Sequence, residues 1–534
     1  MLSEDEFFRT HTEEEIWQRY CGFLDLSVDE FMKIQQRVLL DQIDLMANSF
    51  LGNKVMKGNK PRSVEEFRHM VPLTVYQDYE PYLSEQDEDV LAEKPIVWAH
   101  TSGRGGKFKW IPYTERFLKS WSRNGIAALL LSSASRRNEI RISPGERLLI
   151  NVPSRPYCSG LIVFRMADDF SFRFLPPPKE AEEMEFQDKI EAAFKLALKM
   201  GADFVFCAIS STLLKVGENI GQQSNKMKFS SSMLHPLVIS RLLRGWLHSK
   251  QAGRSNLLPS DLWSLKGIFA VGADTTIYKN KIKEYWGITP LELYVSTEVV
   301  FTATQSWNKK WLTFFPNSAF LEFIPEDEWI KSQEDKKYQP ATVLINEVEE
   351  GKIYEMVMTS FYGMPLLRYR IGDLIKIVSL KDDETGCKLP QMVFQSRIND
   401  IIDVFGYARL DEKTVWQAIV DTGVEYVDWV FRKEFEHGKP VLQLYLEPKP
   451  KENITAAKLA DLLHEQLQHA DPFYKEVVRE LEVHPLRVTL LTRGAFQRYY
   501  EEKRKAGADL AHLKPPHMSA SDDAVQILVG VNRE

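Results

Sequence analysis

The sequence predicts an α/β protein: a large N-terminal domain of mixed sheets and helices, followed by a small α+β C-terminal domain. Three observations predict it. The first hundred residues carry helical patterning. From about residue 145, short apolar runs alternate with longer amphipathic ones. After about residue 400, strand-like runs bracket a single helical segment. At 534 residues the chain is too long for one hydrophobic core, so two or more domains are expected.

The elements follow in order. "SVDEFMKIQQRVLL" opens with Ser27 and Glu30, the spacing of a capping box, before apolar Phe31, Ile34 and Val38. "SVEEF" repeats the device at Ser63 and Glu66. "RLLINV" is strand-like, "EFQDKIEAAFKLALKMG" is helical and stops at Gly201, and "FVFCAI" is again strand-like. "GIFAVG" predicts a strand, "TIYKNKIKEYWG" a helix and "ELYVSTE" a strand. Such alternation builds an α/β body. Further on, "PVLQLYLEP" and "RELEVHP" read as strands, with the amphipathic helix "TAAKLADLLHEQLQ" between them. The final "MSASDDAVQILVGVNRE" fits either a loose tail or one added strand.

Composition narrows the function classes. Net charge is -7 with pI near 6.0, so no global basic field points to nucleic acid. No apolar run approaches the roughly 18–20 residues that cross a bilayer, so no membrane partner is expected. The acidic start "MLSEDEFFRT" lacks the pattern of a secretory signal. Cys21, Cys158, Cys207 and Cys387 are scattered, without zinc-type or disulfide-framework spacing; reduced thiols in a cytoplasmic protein are the expectation.

Four stretches carry candidate chemistry. "TSGRGGKFK", Thr101 to Lys109, is glycine-rich and basic. Its backbone N–H groups, with hydroxyls and cations, suit phosphate oxygens; a basic hairpin turn is the plainer alternative. "YVSTEVVF" ends a strand in Ser296-Thr297-Glu298, where a carboxylate can hold Mg2+ beside substrate phosphates, although many strands end this way. In "LLRYRIGDLIKI" a Gly372-Asp373 turn interrupts two apolar stretches; its Asp could accept from ribose hydroxyls or simply brace the turn. "QSRINDIIDVFG", Gln395 to Gly406, is a polar connector at the domain boundary.

In this order and spacing the four stretches resemble the motifs of the acyl-adenylate-forming superfamily. The phosphate loop there reads [ST]-[SG]-G-[ST]-[ST]-G-x-x-K; this chain departs from it at Arg104 and Gly105. Tyr294–Glu298 resembles Y-x-x-[ST]-E, Tyr369–Asp373 resembles Y-R-x-G-D, and Arg397–Gly406 resembles a hinge motif with Asn399 at its usual aspartate. "VPLTVYQDYEPYL", "FFPNSAFLEFIPEDE", "EEGKIYEMVMTSFYGMPLLRYRIGD" and "LTRGAFQRYYEEKRKAGADLAHLKPPH" are similar to the auxin-responsive acyl-acid amido synthetases, the Gretchen Hagen family.

The resemblance implies ATP-dependent activation of a carboxylic acid as an acyl-adenylate, then transfer to an amine, usually of an amino acid. It implies ATP and Mg2+ as cofactors, with Lys514, Glu298 and Arg397 in catalytic positions and Glu298 on the metal. The nucleotide would meet Thr101, Ser102, Gly103, Arg104, Gly105, Gly106, Lys107 and Lys109. It would also meet Gly272, Ala273, Asp274, Tyr294, Ser296, Thr297 and Asp373. Arg104 would offer a guanidinium where relatives use hydroxyls. The acyl pocket is expected around "LINVPSRPYCSGL" and "YVSTEVVF". Residues 1–396 would form the adenylation domain, 397–406 the hinge and 407–534 a mobile C-terminal domain. The expected partners are small-molecule acids and amines, and the expected state is a monomer or weak homo-oligomer. An acyl-CoA ligase and a non-catalytic adenylate-binding scaffold are the alternatives.

Overall fold

The computed structural model describes residues 3–101, 109–184, 186–207, 210–223, 235–271, 275–335, 337–404, 408–436, 439–450, 452–480, 484–505 and 516–530. The chain divides into two compact units. One is Met1–Ile371 with Lys376–Phe394; the other is Gly372–Ile375 with Gln395–Glu534. No helix among the described residues is long and apolar enough to cross a membrane.

The first unit opens with helices. Ser27 forms the full capping box with Glu30. At Ser63 only half forms: its hydroxyl accepts from the Glu66 N–H, while the Glu66 carboxylate accepts from the Arg62 N–H instead. The long helix Val28–Ala47 buries Phe31, Leu39, Ile43 and Met46. Gln35 and Gln42, two turns apart on the same face, are also buried. Gln35 donates to the Ala319 carbonyl at 2.6 Å and accepts from Leu321 N–H. Gln42 does the same for Met364 and Gly363. Each amide thereby satisfies backbone groups that burial would otherwise leave unpaired.

A hairpin follows, β1 (Val97–Thr101) and β2 (Lys109–Tyr113). The strands after it are β3 (Arg147–Asn151), β4 (Arg173–Leu175), β5 (Phe204–Cys207), β6 (Gly267–Val271), β7 (Leu291–Ser296) and β8 (Val300–Gln305). Then come β9 (Leu312–Phe314), β10 (Ala319–Pro325), β11 (Ile353–Ser360), β12 (Tyr369–Ser379) and β13 (Gln391–Arg397). Among the described residues these form an eleven-stranded sheet ordered β10-β11-β12-β13-β9-β8-β7-β6-β5-β3-β4. Its β4-β3-β5-β6-β7 half is parallel. Parallel neighbours need crossover helices, and these include Phe186–Met200 and Thr275–Trp286. The first helix ends at Gly201, whose φ of 91° only glycine adopts without strain. Ala193, Ala197, Val205, Ile268, Trp263 and Trp286 share one buried cluster on that side. Parallel strands place their carboxyl ends along one edge, the usual ligand edge of such sheets. Asn151, Cys207, Val271 and Ser296 end there.

In the second unit β14 (Ile402–Val404) pairs with β15 (Ala408–Leu410). Strand β16 (Tyr426–Glu436) pairs antiparallel with β17 (Lys439–Pro448), which pairs parallel with β18 (Leu486–Leu490). The helix Ala456–Ala470, capped by Thr455, makes the crossover. Leu459, Leu463 and Leu467 pack with Trp429, Phe431 and Leu444 in the core.

Three sequence expectations are corrected here. Gly372-Asp373 is no turn: β12 runs through both residues, and Gly372 bends it at φ 80°. The described residues of "RELEVHP" are not strand: Arg479 and Glu480 close the helix Pro472–Glu480, and His484 and Pro485 precede a strand that begins at Leu486. An amphipathic run beside a real strand explains that error. The C-terminal tail contains a helix, Asp522–Val529, capped by Ser521 and closed by left-handed Gly530. It buries Ala524, Val525 and Leu528 against Phe496 and Tyr499.

Candidate active site

The site is built at the turn between β7 and β8. Ser296 pairs with Val300, so Thr297, Glu298 and Val299 form a three-residue loop. Val300 closes it at φ 56°, a conformation that costs a β-branched residue about 1–3 kcal/mol. That strained, fully buried residue fixes where the loop points. The Ser296 hydroxyl accepts from the Val299 N–H at 3.4 Å and so braces the same turn. Glu298 is only 6% exposed.

Two threads join this turn to the β1–β2 hairpin. Tyr113 of β2 donates to the Thr297 carbonyl at 2.7 Å. Lys109 Nζ donates to the Tyr369 hydroxyl at 3.4 Å, and that hydroxyl donates to Glu298 Oε1 at 3.5 Å. Thr101 pairs with Lys109, so the two residues bound the glycine-rich loop at its base. Lys109 also lies 5.4 Å from the centre of the Tyr76 ring. The Tyr76 hydroxyl is held by the Trp110 N–H at 2.8 Å.

The cluster is dominated by phenols. Burial first, and the Glu298 charge second, push the Tyr369 hydroxyl far above its ordinary value. Burial, Cys158 and Glu298 do the same to Tyr113. Both therefore stay protonated and available as donors. Burial pushes the Cys158 thiol up to about 12; the Tyr113 hydroxyl opposes that shift and Glu298 adds to it. Cys158 begins the helix Cys158–Asp169. Cys158 belongs to "LINVPSRPYCSGL" and Glu298 to "YVSTEVVF", the two stretches expected to line an acyl pocket, and both act on the Tyr113 hydroxyl. Tyr294 is buried, with its ring facing Phe394 at 6.2 Å.

The other site residues fall in the second unit. Asp373 is 3% exposed, and its Oδ1 lies 3.1 Å from Arg397 Nε. The Arg397 side chain is itself 58% exposed. Close in sequence, Gln395 donates to Asp411 at 2.6 Å, and Asp411 caps the helix Glu412–Asp421.

Of the sequence candidates, the structure gathers Lys109, Thr297 and Glu298 around Tyr369, places Thr101, Tyr294 and Ser296 on the adjoining strands, and pairs Asp373 with Arg397. Ser102, Gly103, Arg104, Gly105, Gly106, Lys107, Gly272, Ala273, Asp274 and Lys514 lie outside the described residues, as does Gly406. Sequence reasoning missed Tyr113, Tyr369 and Cys158. Tyr369 was legible as the first residue of the Y-R-x-G-D stretch; Tyr113 carried no signal until β2 was registered against β1. Among the described residues no group of three or more acidic, His or Cys side chains forms a metal cage. Mg2+ needs none: one or two carboxylates with substrate phosphates and water satisfy it, and a buried Glu298 at the ligand edge fits that ligand set.

Comparison with known proteins shows the family. The sequence matches the GH3 family N-terminal domain over residues 22–161, its central domain over 312–407 and its C-terminal domain over 412–523. A jasmonoyl-L-amino acid synthetase, GH3.5 of Oryza sativa subsp. japonica, is 21% identical, with 93% of this chain and 94% of that protein covered. The solved AtGH3.15 acyl acid amido synthetase in complex with 2,4-DB superposes with a TM-score of 0.69 at 16% identity, covering 98% and 97% of the two chains. A 2-hydroxyisobutyryl-CoA ligase in the postadenylation state superposes with a TM-score of 0.56 at 13% identity, covering 92% of each chain; this likeness is one of fold. With N-terminal, central and C-terminal domains all matched in order, the chain belongs to the GH3 family.

Proposed function

We propose that this GH3 chain is an ATP-dependent acyl-acid amido synthetase. A carboxylate oxygen of the acid attacks the α-phosphorus of ATP, the bond to the bridging oxygen breaks, and pyrophosphate leaves. An amine, that of an amino acid, then attacks the acyl carbon; the nitrogen loses a proton and AMP departs. The observation that carries this reading is the Lys109–Tyr369–Glu298 chain, which ties the base of the glycine-rich loop to a buried carboxylate.

The residues divide the work. The first step joins two anions, so cations must offset charge at the α-phosphate. Lys109, the loop cations Arg104 and Lys107, and Lys514 supply it; a lysine suits a mobile bridge between phosphate and carboxylate. Glu298 would hold Mg2+, which when bound neutralises charge on phosphate oxygens. Tyr369 holds the Glu298 carboxylate in place. Asp373 accepts from the ribose hydroxyls, with Arg397 beside it. Gly272, Ala273, Asp274 and Tyr294 border the adenine, while Ser296 and Thr297 lie near the α-phosphate. The acid lies between Cys158 and Glu298. Residues 397–406 serve as the hinge between an adenylation domain ending at 396 and a C-terminal domain beginning at 407.

The test supplies ATP and a carboxylic-acid library, with pooled amino acids or with CoA, and follows AMP by chromatography and products by mass spectrometry. AMP release with an amide product is expected. A thioester formed only with CoA would make the chain a CoA ligase. Neither AMP release nor ATP binding would leave a non-catalytic scaffold.

A further inference from the structure

No residue given a role in the proposed function lies in the helix Pro236–Gln251. Its inner stripe is Val238, Gly245 and Ser249, all buried. A side chain at Gly245 would press on Leu262 and the Asp261 carbonyl, so the helix sits close on the unit beneath it. Ile239, Leu243, Trp246 and Leu247 recur at the i, i+4, i+7, i+8 spacing of a single face. That second face is outward: the four are 40%, 58%, 51% and 52% exposed. Leu237 is exposed as well, so this short helix holds five of the exposed large apolar side chains of the described chain.

The charge around that stripe has one sign. The helix contains no Asp or Glu. Between Glu218 and Asp261 the sequence has no acidic residue at all and six Lys or Arg, in a chain with 75 acids. Arg241 turns inward and donates to the Ala197 carbonyl, and Arg254 pairs with Asp261. Arg244 and Lys250 form no ion pair with a described residue and flank the apolar stripe; Lys250 lies 5.7 Å from the centre of the Trp246 ring. An outward ridge of Leu, Ile and Trp on a helix whose own charged side chains are all cations is the pattern of a helix lying in a bilayer interface, with its basic side chains reaching up to headgroups. A protein groove with acidic walls would match the charge, but the tryptophan beside a lysine favours the headgroup boundary.

We propose that Pro236–Gln251 is a membrane-surface helix that docks this enzyme on anionic lipid. The apolar stripe enters the acyl boundary, and Arg244 and Lys250 meet the lipid charge. The sequence alone predicted no membrane partner, because it was searched for segments that span; a surface helix needs no such length.

Vesicle flotation of the full chain tests this. Phosphatidylcholine vesicles with a phosphatidylserine fraction should carry the protein up the gradient at low salt, and pure phosphatidylcholine vesicles should not. Leu243→Ser with Trp246→Ser should lower the bound fraction roughly tenfold or more, since two apolar side chains leave the interface. Arg244→Glu with Lys250→Glu should lower it by about fivefold or more per charge, and added salt should do the same to the wild type. Circular dichroism and AMP release should match the wild type in both variants; if the serine pair misfolds, the charge-reversed pair still decides the matter. Absence of flotation with phosphatidylserine, or flotation indifferent to both variants, overturns the proposal. So does a concentration-dependent dimer that the serine pair abolishes, which would assign the ridge to a second copy. Binding to poly-glutamate without binding to vesicles would assign it to an acidic protein.

Discussion

Glu298 and Asp373 are both buried carboxylates beside a strand, yet their surroundings differ. Glu298 faces phenols: Tyr369 hydrogen-bonds it, and burial first, with the Glu298 charge adding to it, raises Tyr76, Tyr113 and Tyr369. Asp373 faces a guanidinium, that of Arg397. A phenol hydrogen-bonds an anion without cancelling its charge, whereas an arginine meets that charge directly. Under the proposed function Glu298 would offer that charge to an arriving cation. Asp373 already has a cation, on a residue that is mostly exposed and can be exchanged for ribose hydroxyls. Under the proposed function, one acid would hold a metal and the other would select a nucleoside.

Glu298→Gln breaks the first half of that contrast. It keeps the shape and removes the charge, so AMP release should fall about 10²–10³-fold, the scale of losing one contact aimed at developing charge. The thermal midpoint should stay level or rise, because a buried charge is relieved. Steady-state AMP release across a magnesium titration checks it; a loss under tenfold with an unaltered magnesium dependence would remove Glu298 from the metal.

The second half is tested at Asp373. Asp373→Ala should weaken ATP binding about tenfold or more, the range of hydrogen bonds to a charged group. Calorimetric titration with ATP reads it directly. Unchanged nucleotide affinity would end the ribose assignment. Tyr369→Phe sharpens the comparison further. It removes a neutral donor from Glu298, so it should cost about fivefold to tenfold in AMP release, with ATP affinity kept. A loss as large as that of Glu298→Gln would mean the hydroxyl does more than orient the carboxylate.

How much of this was legible in the sequence depends on distance along the chain. Periodicity and caps located the helices at Ser27, Thr455 and Gly201, because those signals are local. The α/β body followed from strand and helix alternation, while the parallel pairing of half its sheet is read from the strand register. The phenol cluster was not legible, because Tyr76, Tyr113, Cys158, Glu298 and Tyr369 are far apart in the chain and meet only in the folded unit. Asp373 was expected on a turn, since Gly-Asp is turn chemistry; a bent strand satisfies the same glycine. The outward ridge of Pro236–Gln251 was not read from the sequence, and burial alone distinguishes its two sides.

The smallest effect is expected far from either carboxylate, in the second unit. His517 lies between two acids, with Nδ1 2.6 Å from Glu412 and Nε2 2.8 Å from Asp428, its ring stacked on Trp429 at 4.4 Å. Burial opposes charging the ring, but Asp428 and Glu412 outweigh it and raise His517 to about 9, from an ordinary 6.5. The folded state thus binds the proton more tightly than the unfolded chain. That stabilisation is complete below pH 6.5 and is lost as pH rises through about 9. His517 also anchors backbone: its carbonyl accepts from the Phe431 N–H at 2.6 Å, and Ser519 returns a bond to Phe431. It stands three residues after Lys514. His517→Gln keeps the backbone pairing and removes the titration. Thermal unfolding of the wild type followed from pH 6 to 10 should show a midpoint that declines across that window, by about 5 °C or less in a chain of this size. The variant should start lower and stay flat. A wild-type midpoint that rises with pH would mean that His517 is held neutral, and a variant that declines in step with the wild type would place the titration on another group.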